Sequence, residues 1–130
     1  ICGYPKDFSA WQKGSLSWHP SSERFCGAGI TQKNVTFSYH ADWSAPGRWA
    51  VEVLTTKNRY ILKPLERLQV MKLGSVNMEN IEIDDKLDIQ YKPGIYNQLK
   101  AFLNEDDMNF CSIEEQIQYI DIYNKIAGYD

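Results

Sequence analysis

No apolar run in this 130-residue chain approaches the ~20 residues that a membrane-spanning helix requires. Basic residues are not in excess either. With 14 Lys and Arg against 17 Asp and Glu, the net charge is -3 and no segment is strongly basic, which argues against a nucleic-acid partner. The three cysteines, Cys2, Cys26 and Cys111, are odd in number, far apart and without a C-x-x-C pair. They fit reduced thiols in a cytoplasmic protein better than a disulfide framework or a zinc site, and no metal is expected. Histidine is scarce, with only His19 and His40 able to act as unperturbed acid or base near neutrality, and neither has a motif partner.

Catalytic loops are also lacking. The sequence has no Walker loop, no H-E-x-x-H and no G-x-S-x-G, which removes support for phosphate cradling, zinc proteolysis and elbow-type serine hydrolysis. Gly27-Ala28-Gly29 begins like a dinucleotide fingerprint, but Gln32 stands where the third Gly belongs and the segment continues as strand. No cofactor is therefore expected on these residues. Asn34-Val35-Thr36 matches a glycosylation triplet, a pattern short enough to occur by chance.

What is present is ordinary globular composition, 43% hydrophobic and 24% charged, at a length that allows one domain over 1–130 with a real core. From Asp7 to about Met71, aromatic and β-branched residues alternate with polar ones. Strands are predicted near Asp7 to Lys13, Ser15 to Trp18, Arg24 to Thr31, Val35 to Trp43, Trp49 to Thr55, Arg59 to Lys63 and Leu68 to Lys72. Gln32-Lys33-Asn34 and Thr56-Lys57-Asn58 are of hairpin length, so the strands beside them should pair antiparallel.

One sheet face would then collect Val35, Phe37, Tyr39, Trp49, Val51, Val53, Tyr60, Leu62, Leu68 and Val70, a surface for helices. The other, with Thr36, Ser38, His40, Ala50, Glu52, Leu54, Ile61 and Met71, is mixed. It reads either as scattered surface hydrophobes or as an interface with a second copy or another domain.

Met78 to Asp88 is acidic but lacks the alternating oxygen ligands and Gly of a calcium loop, so it reads as a solvated loop. Pro93 then opens a helix with the stripe Ile95, Leu99, Phe102 and Leu103. Ser112 three residues before Glu115 makes a capping box for a last helix carrying Ile113, Ile117 and Ile120, which ends at Gly128 and should dock on the sheet. The fold class expected is α+β, an open, mainly antiparallel sheet with helices packed on one face. The start, Ile1-Cys2-Gly3-Tyr4-Pro5, has no Met or leader and reads as the last turn of a helix and its stop. A preceding part is expected to run into this domain.

Tyr39, His40, Asp42, Trp43, Arg48 and Trp49 crowd one strand end and the turn Ser44-Ala45-Pro46-Gly47. Planar donors and acceptors beside aromatic faces suit a sugar, which makes His40, Asp42, Trp43 and Arg48 the candidate substrate-binding residues. The structural alternative is that Trp43 and Trp49 are core and Asp42 and Arg48 form a loop ion pair. No catalytic residue is assigned.

Five pieces in order carry a family resemblance: Gly3-Tyr4-Pro5; Ala10-Trp11-Gln12; Gly47-Arg48-Trp49 with its strand; Leu62-Lys63-Pro64-Leu65-Glu66; and Lys92-Pro93-Gly94-Ile95-Tyr96 leading to Ala101-Phe102-Leu103. Over nearly its whole length the chain resembles the carboxy-terminal domain of the glucose-fructose oxidoreductase, inositol dehydrogenase and MocA family of NAD(P)-dependent sugar oxidoreductases. The resemblance implies an open sheet that floors a substrate pocket and builds a homo-oligomer. It also implies a sugar or polyol substrate, and NAD or NADP held by an amino-terminal Rossmann domain outside these residues. That domain also carries the family's lysine in a Glu-Lys-Pro motif. Lys63-Pro64 and Lys92-Pro93 lack the Glu and do not match it. The chain alone should then be inactive, the reaction's cofactor chemistry belonging to the other part. The rival reading is a free-standing carbohydrate-binding or protein-interaction module, given 13% aromatic residues.

Overall fold

The computed structural model describes residues 2–106 and 110–129. It is α+β, with two antiparallel open sheets and three α-helices among the described residues. The expected single sheet is replaced by two, and the chain divides into two compact units, Ile1–Pro46 with Cys111–Asp130, and Gly47–Phe110. The reason is local pairing. Each sheet is a meander of consecutive strands, and residues 43–50 between them form no strand. In that stretch Asp42 Oδ1 accepts from the Ser44 N–H (2.9 Å), and Pro46 has no N–H to offer a ladder.

In the first unit β1 (Pro5–Lys13), β2 (Arg24–Thr31) and β3 (Thr36–Asp42) lie in that order. The β2–β3 hairpin closes as its short polar connection predicts. Thr31 N–H donates to Val35 O (2.9 Å), Thr31 Oγ1 accepts from Val35 N–H (3.3 Å), and Asn34 adopts φ 57°, the left-handed region that Asn tolerates. Ser15 to Trp18 is not a strand. Gly14, at φ 83°, turns the chain out of β1, and only an isolated bridge, Leu16 to His19, follows. Glu23 N–H donates to Lys13 O (3.2 Å), closing the excursion.

Strand alternation gives the sheet an inner face with Phe8, Ala10, Gln12, Phe25, Gly27, Gly29, Phe37 and Tyr39. The long helix (Ile113–Ala127) packs on it. Its capping box forms as the sequence predicts, with Ser112 Oγ accepting from Glu115 N–H (3.1 Å) and Glu115 Oε2 from Ser112 N–H (2.9 Å). Gly128 ends it at φ 71°. Tyr4 donates to Gln118 O (2.8 Å), and Lys125 Nζ donates to Phe8 O (2.6 Å) while lying 4.2 Å above the Phe8 ring. Ile1 is outside the described residues, so the expected helix end there is not addressed; Gly3 has φ 87° and β1 begins at Pro5.

In the second unit β4 (Val51–Leu54), β5 (Asn58–Leu62), β6 (Leu68–Lys72) and β7 (Glu79–Ile81) form a four-stranded meander. Val53, Tyr60 and Val70 align across it, as do Val51, Leu62 and Leu68, the grouping that alternation predicts within this sheet. The acidic segment is not wholly loop. Glu79, Asn80 and Ile81 pair with Val70, Gln69 and Leu68, held by Lys72 Nζ to Glu79 (2.9 Å) and Gln69 Nε2 to Asn80 Oδ1 (2.9 Å). A short helix α1 (Lys86–Gln90) follows. Helix α2 (Ile95–Leu103) starts two residues after Pro93, behind Gly94 at φ 77°, and the long helix Ile113–Ala127 is accordingly α3. Among the described residues α1 and α2 touch each other and neither packs on the four-stranded sheet.

Candidate functional site

A cavity of about 440 Å³ lies within the first unit, between the β1–β2 excursion, the ends of β2 and β3, and the end of α3. Its walls are aromatic because two sequence features place rings there. Parity along β3 sends Tyr39, Ala41 and Trp43 to the inner side. The excursion after Gly14 brings Trp18 over the same opening, so the two indoles meet edge to face, with centroids 6.0 Å apart and planes at 83°. Both remain largely exposed, Trp18 at 66% and Trp43 at 61%, so they line the cavity mouth rather than a core.

Polar groups fix the excursion. Ser21 Oγ donates to Ala127 O (3.0 Å) and Gln12 Nε2 to Lys125 O (2.6 Å) and Ile126 O (2.9 Å), occupying last-turn carbonyls of α3 that lack helical partners. The His19 ring stands between Trp18 (5.5 Å) and Tyr129 (6.5 Å), and its Nδ1 accepts from Ser21 N–H (3.0 Å). An accepting Nδ1 puts the proton of the neutral ring on Nε2, leaving a donor there.

Tyr39 is the unusual member. Its hydroxyl is buried with no hydrogen-bond partner among the described residues. Burial pushes its pKa above 10.0, and the nearby Cys26 adds in the same direction, so the group is a neutral hydroxyl at physiological pH. The ring lies so close to β2 that a Cβ at Gly27 would overlap it, and a Cβ at Gly29 would overlap Phe8 and the Asp7 carbonyl. Gly27-Ala28-Gly29 is therefore a packing device inside a strand, not the loop before a helix that cradles a dinucleotide. No group of three His, Cys, Asp or Glu among the described residues is placed to hold a metal ion, and no helix is long and apolar enough to cross a membrane. Cys2, Cys26 and Cys111 are free.

The sequence-derived site residues are distributed over three places. Trp43 lines the cavity. His40 and Asp42 have the opposite parity and lie on the outer face, His40 across from Cys26, which itself pairs with Trp11. Asp42 meets Arg24 Nε (3.4 Å) there, and Arg24 also pairs with Glu23 (3.2 Å). Arg48 belongs to the other unit, and Asp42 pairs with Arg24 within its own. Trp49, at 77% exposure, is not core. Sequence reasoning preferred His40 over His19 and omitted Trp18, Tyr129 and the role of Tyr39. The signal available was parity, since Tyr39 and Trp43 share a face that His40 and Asp42 do not.

The chain matches no family model, no curated protein and no solved structure.

Proposed function

We propose that this chain is the substrate-contact and assembly portion of an NAD(P)-dependent sugar or polyol oxidoreductase, the parent enzyme passing hydride between nicotinamide and a sugar carbon. The dinucleotide would be held by a Rossmann part outside these residues, consistent with the strand-bound glycines described above. The observation that carries the reading is unburied apolar surface. Two separate globules sharing the 15.1 kDa mass equally would expose about 8,500 Å² together, whereas this chain exposes 11,021 Å². Part of the excess falls on elements that bear the resemblance, and part on Leu73, Val76 and Ile113 outside them. Helix α2 carries the stripe Ile95, Leu99, Phe102 and Leu103, with Phe102 at 69% and Leu103 at 71% exposure, and among the described strands and helices only α1 packs beside it. A domain that completes its core against a partner domain or further copies has this profile, and a self-sufficient module of the same length does not.

The test is to express the chain together with its upstream coding region and, separately, alone, and to follow nicotinamide absorbance at 340 nm over a sugar and polyol panel. This reading requires dinucleotide binding and turnover in the longer protein and none in the chain alone. Turnover by the 130 residues alone, or a longer protein that binds no dinucleotide, refutes it.

A further inference from the structure

Half of the side chains lining the cavity of the first unit are aromatic, and none is Asp, Glu, Lys, Arg, Asn or Gln. A charged partner would find no counter-charge there. The polar groups that the rings offer are mainly donors. Neither indole N–H, of Trp18 or of Trp43, has a hydrogen-bond partner among the described residues, His19 keeps its proton on Nε2, and the Tyr129 hydroxyl is unpaired. An indole N–H and the Nε2–H of a neutral imidazole donate and cannot accept. Tyr39 takes no part beyond its ring, since its hydroxyl is sealed from solvent against Gly27. The rings also form a row, Trp43, Trp18, His19 and Tyr129, with successive centroids 6.0, 5.5 and 6.5 Å apart. Both indoles and Tyr129 are exposed, so the row walls an open groove along which an extended chain can pass.

From these features we infer that the row is a docking groove for a proline-rich segment of another protein, bound in the polyproline II conformation. Proline has no N–H, so the backbone of such a segment brings carbonyl acceptors without donors, the complement of this lining. Its pyrrolidine rings pack on aromatic faces as apolar surface, and the helix rises about 3.1 Å per residue, so neighbouring rings of the row stand about two residues apart along it. The segment is extended before it binds and loses little entropy on docking. A polyol would add hydroxyl donors for which the ring nitrogens are no acceptors, and a wholly apolar ligand would cover the ring N–H groups without satisfying them. The occupant is not part of these 130 residues, because Pro5, Pro20, Pro46, Pro64 and Pro93 stand far apart from one another. The groove uses none of the second unit and goes beyond the oxidoreductase reading, since docking here needs no nicotinamide part.

The experiment titrates the 130-residue chain with an oligoproline peptide of about ten residues, a Gly-Ser peptide of equal length and free indole, read by tryptophan fluorescence and calorimetry. The oligoproline should bind saturably with Kd below about 1 mM, and the Gly-Ser peptide should not bind. Trp18→Ala and Trp43→Ala should each weaken binding about tenfold or more, Tyr129→Phe about 3–10-fold, the range of one lost hydrogen bond, and Trp49→Ala in the second unit should leave it unchanged. All three groove side chains are exposed, and Tyr129→Phe, which removes a single oxygen, preserves the test if an alanine variant does not fold. Absence of saturable oligoproline binding up to about 5 mM, equal affinity in wild type and in the folded groove variants, or tighter binding of free indole than of the peptide would each overturn the assignment. Peptide binding by the chain with no hydride transfer in the longer protein would refute the oxidoreductase reading alone.

Discussion

Replacing Tyr39 by Phe should make the protein more stable, the reverse of what removing a side-chain atom from a packed site usually does. The hydroxyl is buried and lacks a partner, and an unsatisfied buried donor costs about 1–3 kcal/mol. The ring stays over Gly27 and packs as before, so only the oxygen's own contacts are lost. Taking the low end, Tyr39→Phe should gain about 1 kcal/mol, which for a domain of roughly 60–100 residues is a rise of about 4–8 °C in Tm. Differential scanning calorimetry at pH 7 reads this directly.

A second readout comes from alkali. Because the folded pKa of Tyr39 is raised above 10.0, the fold favours the protonated hydroxyl; its contribution is full below pH 10.0 and is lost as pH rises through the raised value. The wild type should therefore lose stability above pH 10 more steeply than Tyr39→Phe. An unchanged or lowered Tm in Tyr39→Phe would mean that the hydroxyl is already satisfied, and the reasoning from its burial would fail.

Ser112→Ala removes the N-cap of α3 and should cost about 1 kcal/mol, read as a lower urea midpoint at unchanged slope; no shift would mean that packing alone starts the helix. Gly29→Ala drives a methyl into Phe8 and the Asp7 carbonyl, and should destabilise by about 1–3 kcal/mol or prevent folding of the first unit, checked by circular dichroism and thermal melts. Leu99→Glu, on an exposed stripe, should change stability by less than about 0.5 kcal/mol while reducing self-association in sedimentation velocity; a large loss of stability would show the stripe to be covered within the chain. Glu114 has its carboxyl held below the ordinary 4.5 by backbone hydrogen bonding and then by Ser112. Its support for the first turn of α3 is present above pH 4.5 and lost as pH falls through the lowered value. Glu114→Gln should flatten that acid limb in far-UV circular dichroism, and an identical limb would exclude the residue.

The parts of this fold legible in sequence are those whose signals are local. The Ser112–Glu115 box, the Gly128 stop and the two short polar hairpin connections each specify geometry through neighbouring residues, and each forms as its chemistry predicts. The division into two sheets was not legible, because β3 and β4 both read as half-buried strands and nothing in either says which edge it seeks. β7 was missed for the opposite reason. Its Glu79-Asn80-Ile81 has little strand propensity and is held by cross-strand partners, Lys72 and Gln69, known only once register is fixed. The candidate site was half legible: the aromatic crowding around residue 43 marks the right end of β3, but grouping by proximity in sequence merged two faces that the two-residue period separates.

Gly27 and Gly29 illustrate why such motifs need a physical context. In a loop leading to a helix, alternate glycines let backbone N–H groups close on phosphate. In the middle of β2 the same pair occupies the inner face, one glycine beneath Tyr39 and the other against Phe8, and the missing side chains let those rings lie against the strand. That close approach buries the Tyr39 hydroxyl. A larger residue at Gly27 would lift the ring outward, toward the volume where Trp18 and Trp43 meet. The seating of the Tyr39 ring and its unmet hydroxyl thus have one origin, the absence of a side chain at Gly27, and a residue pattern suggestive of cofactor binding is here what lets an aromatic ring lie flat on a strand.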